Sequence, residues 1–210
     1  MNKTLAIIGS GHLGQQIAHY AIADNHYDKV VFFDDFSNES AVNGMQILGK
    51  TDHIQNAFDK KQFDEILIGI GYKHLAVRKH FFEQFSEMIP FGKIIHSSSW
   101  VDSTALIKEG CVVYPSCCID ANAIVECNTI LNLACTLAHD SIVGKHSFLS
   151  PRVAVAGFVK MEELCIIGIN STIIDNITIP PNTQIGAGTV VINSIENSGL
   201  YVGNPQRFIR

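Results

Sequence analysis

The sequence predicts two domains of different architecture, an α/β domain of strand–helix alternation followed by a parallel β-helix. Residues 1 to about 95 alternate short β-rich runs with helix-spaced apolar segments. From residue 101 the apolar period changes to six and holds without a slip through sixteen consecutive repeats. The composition suits a folded chain, since its 210 residues are 47% hydrophobic and only 17% charged, the balance of a protein with one or two packed cores.

In chain order, LAIIG (5–9) is a short strand, and His12 to Asp24 carries apolar residues at helical spacing. KVVFFDD (29–35) is a second strand ending in two carboxylates, residues 52–61 a short helix, and EILIGIG (65–71) a third strand. HLAVRKHFFEQF (74–85) reads as helix and KIIH (93–96) as a possible fourth strand. Such alternation implies a small parallel sheet covered by helices, a Rossmann-like βαβ domain. Its length suffices for one mononucleotide-binding half and not for two.

The second domain announces itself by its period. Val101, Ile107, Val113, Ile119, Val125, Leu131, Leu137, Val143, Leu149, Val155, Met161, Ile167, Ile173, Ile179, Ile185 and Val191 are six apart, and every one is aliphatic or Met. Four residues after each the side chain is usually small, as at Ala105, Cys111, Cys117, Ala123, Cys135, Ser147 and Cys165. A period of six with an aliphatic first and a small fifth residue marks a parallel β-helix. Three hexapeptides make one triangular coil of eighteen residues, with the aliphatics stacked inside. Four of the six cysteines fall on the small position, which reads as packing rather than chemistry.

Composition excludes several classes. The formal net charge is −5 without a run of Lys or Arg, so no nucleic-acid partner is expected. No apolar stretch approaches the ~18 residues that span a bilayer, and MNKTLAIIGSG, leading straight into Gly and polar residues, is not expected to act as a secretory leader. No membrane association is expected, and six cysteines without such a leader suggest the cytoplasm. There is no C-x-x-C pair, so no metal is expected.

Two stretches carry chemistry. Gly9-Ser10-Gly11-His12-Leu13-Gly14 follows a strand and opens a helix, which places backbone N–H groups where a phosphate binds. Asp34 and Asp35 follow about 25 residues on, as an NAD site requires. The missing second half of the sheet and the absence of a hydride-transfer apparatus argue against NAD. GIGYK (69–73), at the end of the third strand, lies on the same rim. In the β-helix, His139 and Gly157 are eighteen residues apart, which puts them on one corner of successive coils, roughly 4.8 Å apart along the backbone. Imidazole titrates near pH 6.5, which suits a general base.

Residues 101–191 resemble the left-handed β-helix of the hexapeptide-repeat acyltransferases. The order of parts resembles one branch, the sugar acyltransferases of the sialic acid O-acetyltransferase and bacillosamine N-acetyltransferase type. The resemblance divides the chain at 97/98, with a nucleotide-sugar-binding domain (1–97) before an acyltransferase domain (98–210). Within ILNLACTLAHDSIVGKHSFLSPRVAVAGFVKM (130–161) it implies His139 as catalytic base, Asp140 as the carboxylate orienting it, and Gly157 as the glycine whose N–H faces the thioester oxygen. It implies a substrate site of Gly9, Ser10, Gly11, His12, Asp34, Asp35, Gly71, Tyr72, Lys73 and Asn132, with Asp34 or Asp35 near ribose or base. Acetyl-CoA would lie along Gly157, Gly168, Ile169, Ala187, Gly203 and Pro205, the last two from the closing LYVGNPQRFIR. The family's second histidine falls here on Phe148, and His146 is expected to be surface.

The activity so implied is acetyl-CoA-dependent N-acetylation of the 4-amine of a UDP- or dTDP-linked 4-amino-4,6-dideoxyhexose in polysaccharide biosynthesis, by a homotrimer. O-acetylation of sialic acid or a related sugar is the alternative within the class and predicts no nucleotide affinity. A non-catalytic nucleotide-binding scaffold is the alternative outside it, and it leaves the Asn132, His139, Asp140 and Gly157 set unexplained.

Overall fold

The computed structural model describes residues 3–210, and the chain divides into two compact units between Ile94 and Ile95. In the first unit β1 (Thr4–Ile8), β2 (Lys29–Phe33), β4 (Met45–Gly49) and β5 (Glu65–Ile68) run parallel, and β3 (Ala41–Val42) adds an antiparallel edge, in the order β3-β4-β2-β1-β5. Residues 5–8, 30–33 and 66–68 are buried without alternation, the pattern of strands covered on both faces. Helices α1 (His12–Ala23), α2 (Ile54–Asp59) and α3 (Leu75–Phe85) supply the cover. The chain builds outward from β1 through β2 to β4 and then returns to the other side of β1 as β5. The strand order therefore reverses between β1 and β5, where open α/β sheets bind their ligands.

Two elements depart from the sequence reading. KIIH does not extend this sheet; Ile94–Ile95 is the first strand of the eight-stranded face that continues through the β-helix. The sheet instead gains β4 through a hairpin whose turn is Asn43-Gly44, with φ of 49° and 76°. That dipeptide is a strong hairpin signal, and it sits in the sequence in plain view.

The second unit is a parallel β-helix of two-residue strands stacked eighteen residues apart, as in Val113↔Leu131, Leu131↔Leu149 and Leu149↔Ile167. Its three faces contain six, five and eight strands. Of the sixteen period-six positions, all but Val101 are buried, and Val101 packs against the same core. Each such side chain contributes about 1.5–3 kcal/mol by leaving water, so the column is the main stabilising element. The small fifth positions are buried as well, including Cys111, Cys117, Cys135 and Cys165. Burial pushes the Cys165 thiol up to about 12, which keeps it protonated and inert at neutral pH.

The corners have a second period that the hydrophobic pattern hides. Every sixth residue from Gly110 to Gly188, fourteen in succession, is left-handed with φ between 55° and 73°. Five are asparagines, Asn122, Asn128, Asn170, Asn176 and Asn182, in keeping with that residue's tolerance of the left-handed region. The same column includes Asp140, His146 and Phe158. No helix among the described residues is long and apolar enough to cross a membrane.

Candidate active site

In the β-helix, strand pairing of Leu137 with Val155 aligns His139 beneath Gly157. The Phe158 N–H donates to the His139 carbonyl at 3.2 Å and ties the two corners together. The imidazole lies against the glycine, for a Cβ at position 157 would come within 2.8 Å of Cε1 and 3.0 Å of Nε2. Only glycine leaves room for the ring. The Gly157 N–H donates to no acceptor among the described residues.

His139 Nδ1 is 3.0 Å from Asp140 Oδ2. With that nitrogen donating to the carboxylate, Nε2 presents its lone pair outward. The other Asp140 oxygen accepts from Asn122 Nδ2 at 3.3 Å, one coil below. Asp140 and Asn122 both occupy left-handed corners, at φ 58°. The His139 side chain is 51% exposed and that of Asp140 38%, so the pair is open to solvent. Asn122 was invisible to motif reading, although its spacing of eighteen from Asp140 is the signal that finds it.

Asn132 does not join this group. It sits on the preceding corner, where its Oδ1 accepts from the Leu133 N–H at 2.8 Å. Gly168 shares that corner's column and is glycine for packing, since a Cβ there would lie 2.5 Å from the Ala187 nitrogen. Ile169 and Ala187, eighteen apart on the next residue, are both exposed. Gly203 accepts from the Val190 N–H, and Pro205 lies in the turn of the antiparallel hairpin that closes the coil.

His146 is not on the surface. It is 2% exposed, and its Nδ1 lies 2.9 Å from Asn128 Nδ2 on the coil below. The expectation of a surface histidine is therefore overturned, since the imidazole is packed away from solvent beside Asn128. Phe148 is buried too.

In the first unit, Gly9 takes φ 97° and its N–H donates to the Phe33 carbonyl. Gly14 and Gly69 are glycine for packing. A Cβ on Gly14 would collide with the Gly9 carbonyl oxygen, and one on Gly69 would lie 2.5 Å from Gly14 Cα. Gly11 and Gly71 differ, since a Cβ on either meets nothing within 4 Å. Both have ordinary extended backbone, with φ of −69° and −66°. Nothing in the protein requires glycine at either place, and both stand on the rim at the switch between β1 and β5. Helix α1 begins at His12 with no side-chain cap and no acidic residue in its first turn, which leaves its leading N–H groups for an anion.

Asp34 is committed to the turn itself. Its Oδ2 accepts from the Ser10 N–H and hydroxyl, both at 2.7 Å, and Oδ1 accepts from the N–H groups of Phe36 and Ser37 at 2.9 and 3.0 Å. Burial pushes its pKa up, but these donors outweigh burial and hold it below the usual carboxylate range. Asp35 Oδ1 accepts from the Thr51 N–H and hydroxyl. Arg78, 1% exposed on α3, donates to the carbonyls of Ile68 and Ile70 and fixes the loop that leads to Gly71, Tyr72 and Lys73. Phe36 stands 95% exposed beside Asp34. Sequence reading passed over both residues.

The fold has the architecture of the hexapeptide-repeat sugar acyltransferases, a Rossmann-like domain followed by a left-handed parallel β-helix. Residues 4–85 match the model of the PglD N-terminal domain family. The acetyltransferase domain of PglB from Neisseria gonorrhoeae matches at TM-score 0.92 and 27% identity, over 99% of this chain and 100% of that one. The same domain in complex with acetyl coenzyme A gives 0.91 at 27% identity, over 100% of both chains. PerB from Caulobacter crescentus, in complex with CoA and GDP-perosamine, gives 0.88 at 22% identity over 100% and 99%, a likeness of fold. A UDP-3-O-acylglucosamine N-acyltransferase of Delftia acidovorans is 31% identical over 67 residues, 32% of this chain and 20% of that protein. The chain thus spans about a fifth of the length of the curated relatives it matches.

Proposed function

We propose that this protein transfers an acetyl group from acetyl-CoA to the 4-amine of a nucleotide-linked 4-amino-4,6-dideoxyhexose. The observation that carries the reading is the His139 imidazole lying on Gly157 with Nδ1 held by Asp140. In this reading the neutral amine attacks the thioester carbonyl directly and His139 Nε2 takes the proton it releases. The Gly157 N–H stabilises the negative charge that develops on the carbonyl oxygen. The C–S bond then breaks, the proton passes to the departing thiolate, and the products are an amide and free CoA. No protein nucleophile is needed.

The nucleotide would be gripped by the first unit. Phosphate oxygens accept from the N–H groups opening α1, with Gly11 and Gly71 giving close backbone approach. Asp34 then acts by shaping the turn rather than by touching ribose, and Asp35 or the exposed Phe36 ring is left to meet ribose and base. Ile169, Ala187, Gly203 and Pro205 remain the proposed acetyl-CoA surface. The acetyl-CoA complex of the PglB domain supports that co-substrate.

Thiol release from acetyl-CoA, measured against UDP-, dTDP- and GDP-linked 4-amino sugars and free sialic acid, tests the reading. Release with a nucleotide amino sugar supports it. Release with sialic acid alone contradicts it. We further infer a homotrimer packed through the flat β-helix faces, which expose Trp100 and Leu106. Light scattering should then give three chain masses, and an active monomer would refute the assembly.

A further inference from the structure

Phe158 stands where the corner column least favours it. It follows Gly157 and occupies the left-handed corner one coil above Asp140, at φ 59°. The column through it reads Asn122, Asp140, Phe158, Asn176, so a bulky aromatic interrupts a ladder of residues suited to that conformation. For a bulky side chain a positive φ is an outlier. The core does not compensate, because Phe158 is 51% exposed. Its one aromatic partner among the described residues is His139, whose ring centroid lies 5.1 Å away with the planes at 84°, an edge-on arrangement that aromatic rings favour.

Backbone strain held beside a candidate base asks for a functional reason. The hydrogen bond to Asp140 fixes one edge of the imidazole but leaves a half-exposed ring free to swing about that edge. Gly157 closes the space on the next coil, and the Phe158 ring stands nearly perpendicular to the imidazole. The hydrogen bond to Asp140 and the edge-on contact with Phe158 act on the same ring and together restrict its orientation.

We propose that Phe158 is a positioning residue that fixes the plane of His139 so that Nε2 faces the acceptor amine. This rests on the acetyl-transfer reading above. The left-handed strain is then the cost of keeping an aromatic ring at that corner.

Two variants separate positioning from packing. Phe158→Asn installs the residue that this corner type prefers, and Phe158→Tyr keeps the ring. The Asn variant should melt at the wild-type temperature or above it while kcat falls about 10-fold, the scale of a slightly misplaced catalytic group. KM for acetyl-CoA should not change, and Phe158→Tyr should restore kcat to within about 2-fold. Nitrogen-15 relaxation of the His139 imidazole supplies a readout independent of turnover, and the ring should become more mobile in the Asn variant. Unchanged kcat and unchanged ring mobility in Phe158→Asn would overturn the proposal, as would a drop in melting temperature in step with kcat. If His139→Ala were fully active, the acetyl-transfer reading would fall instead, and the relaxation result would still decide whether Phe158 orders the ring.

Discussion

The His139 imidazole occupies the space in which a side chain at Gly157 would lie, with 2.8 Å between Cε1 and the nearest position for a Cβ. The same glycine makes room for the imidazole and carries beside it an N–H that donates to no acceptor among the described residues.

Gly157→Ala separates these from stability. The obstructed atoms belong to a half-exposed ring that can turn aside, so the variant should fold with a melting temperature within a few degrees of wild type. Displacing the imidazole should lower kcat by about 10². Thermal unfolding and steady-state kinetics on one preparation check both halves, and a fully active Gly157→Ala would show that the ring does not work from where it sits.

The glycines of the turn between β1 and α1 divide in the same way. A Cβ at Gly11 meets nothing within 4 Å, so Gly11→Val should fold, yet lose nucleotide-sugar affinity while acetyl-CoA still binds. Gly14→Val strikes the Gly9 carbonyl and should unfold the first unit outright. Calorimetry with the Gly11 variant decides. Unchanged UDP- and dTDP-sugar binding, or micromolar affinity of the wild type for NAD, would refute the nucleotide grip.

Acid should loosen that turn. Asp34 titrates below the usual carboxylate range because the Ser10, Phe36 and Ser37 donors outweigh its burial. A depressed folded pKa means the carboxylate adds stability above the unfolded value of about 3.9, and that contribution is lost as pH falls through the folded pKa. Asp34→Asn should therefore be less stable than wild type at pH 7 and show a flatter loss of stability below about pH 4. Unfolding midpoints followed from pH 7 to pH 3 test this, and parallel curves for the two proteins would refute it.

The β-helix was legible because its period is enforced at every coil, and a single misplaced aliphatic residue would show. The pairing of His139 with Gly157 follows from the same arithmetic, since a spacing of eighteen is one full coil. Asn122 and Phe158 escaped because they touch the site through the left-handed corner column, which selects for backbone conformation and leaves no hydrophobic trace. His146 was misjudged because a polar residue in a turn reads as solvated, and nothing in the hydrophobic period shows that its ring packs beside Asn128. In the first domain the strands and helices were readable from apolar runs, but Asp34 was not. A carboxylate after a nucleotide-type strand suggests a ribose contact, and only coordinates reveal that four donors of the protein's own already hold it.

The most direct measurement compares the rate of amide formation by wild type and His139→Ala on the nucleotide 4-amino sugar that thiol release selects, with acetyl-CoA saturating. The account predicts a kcat loss of roughly 10² to 10⁴ with little change in either KM, the signature of a missing general base. A His139→Ala protein that folds and turns over within a factor of about two of wild type would contradict it.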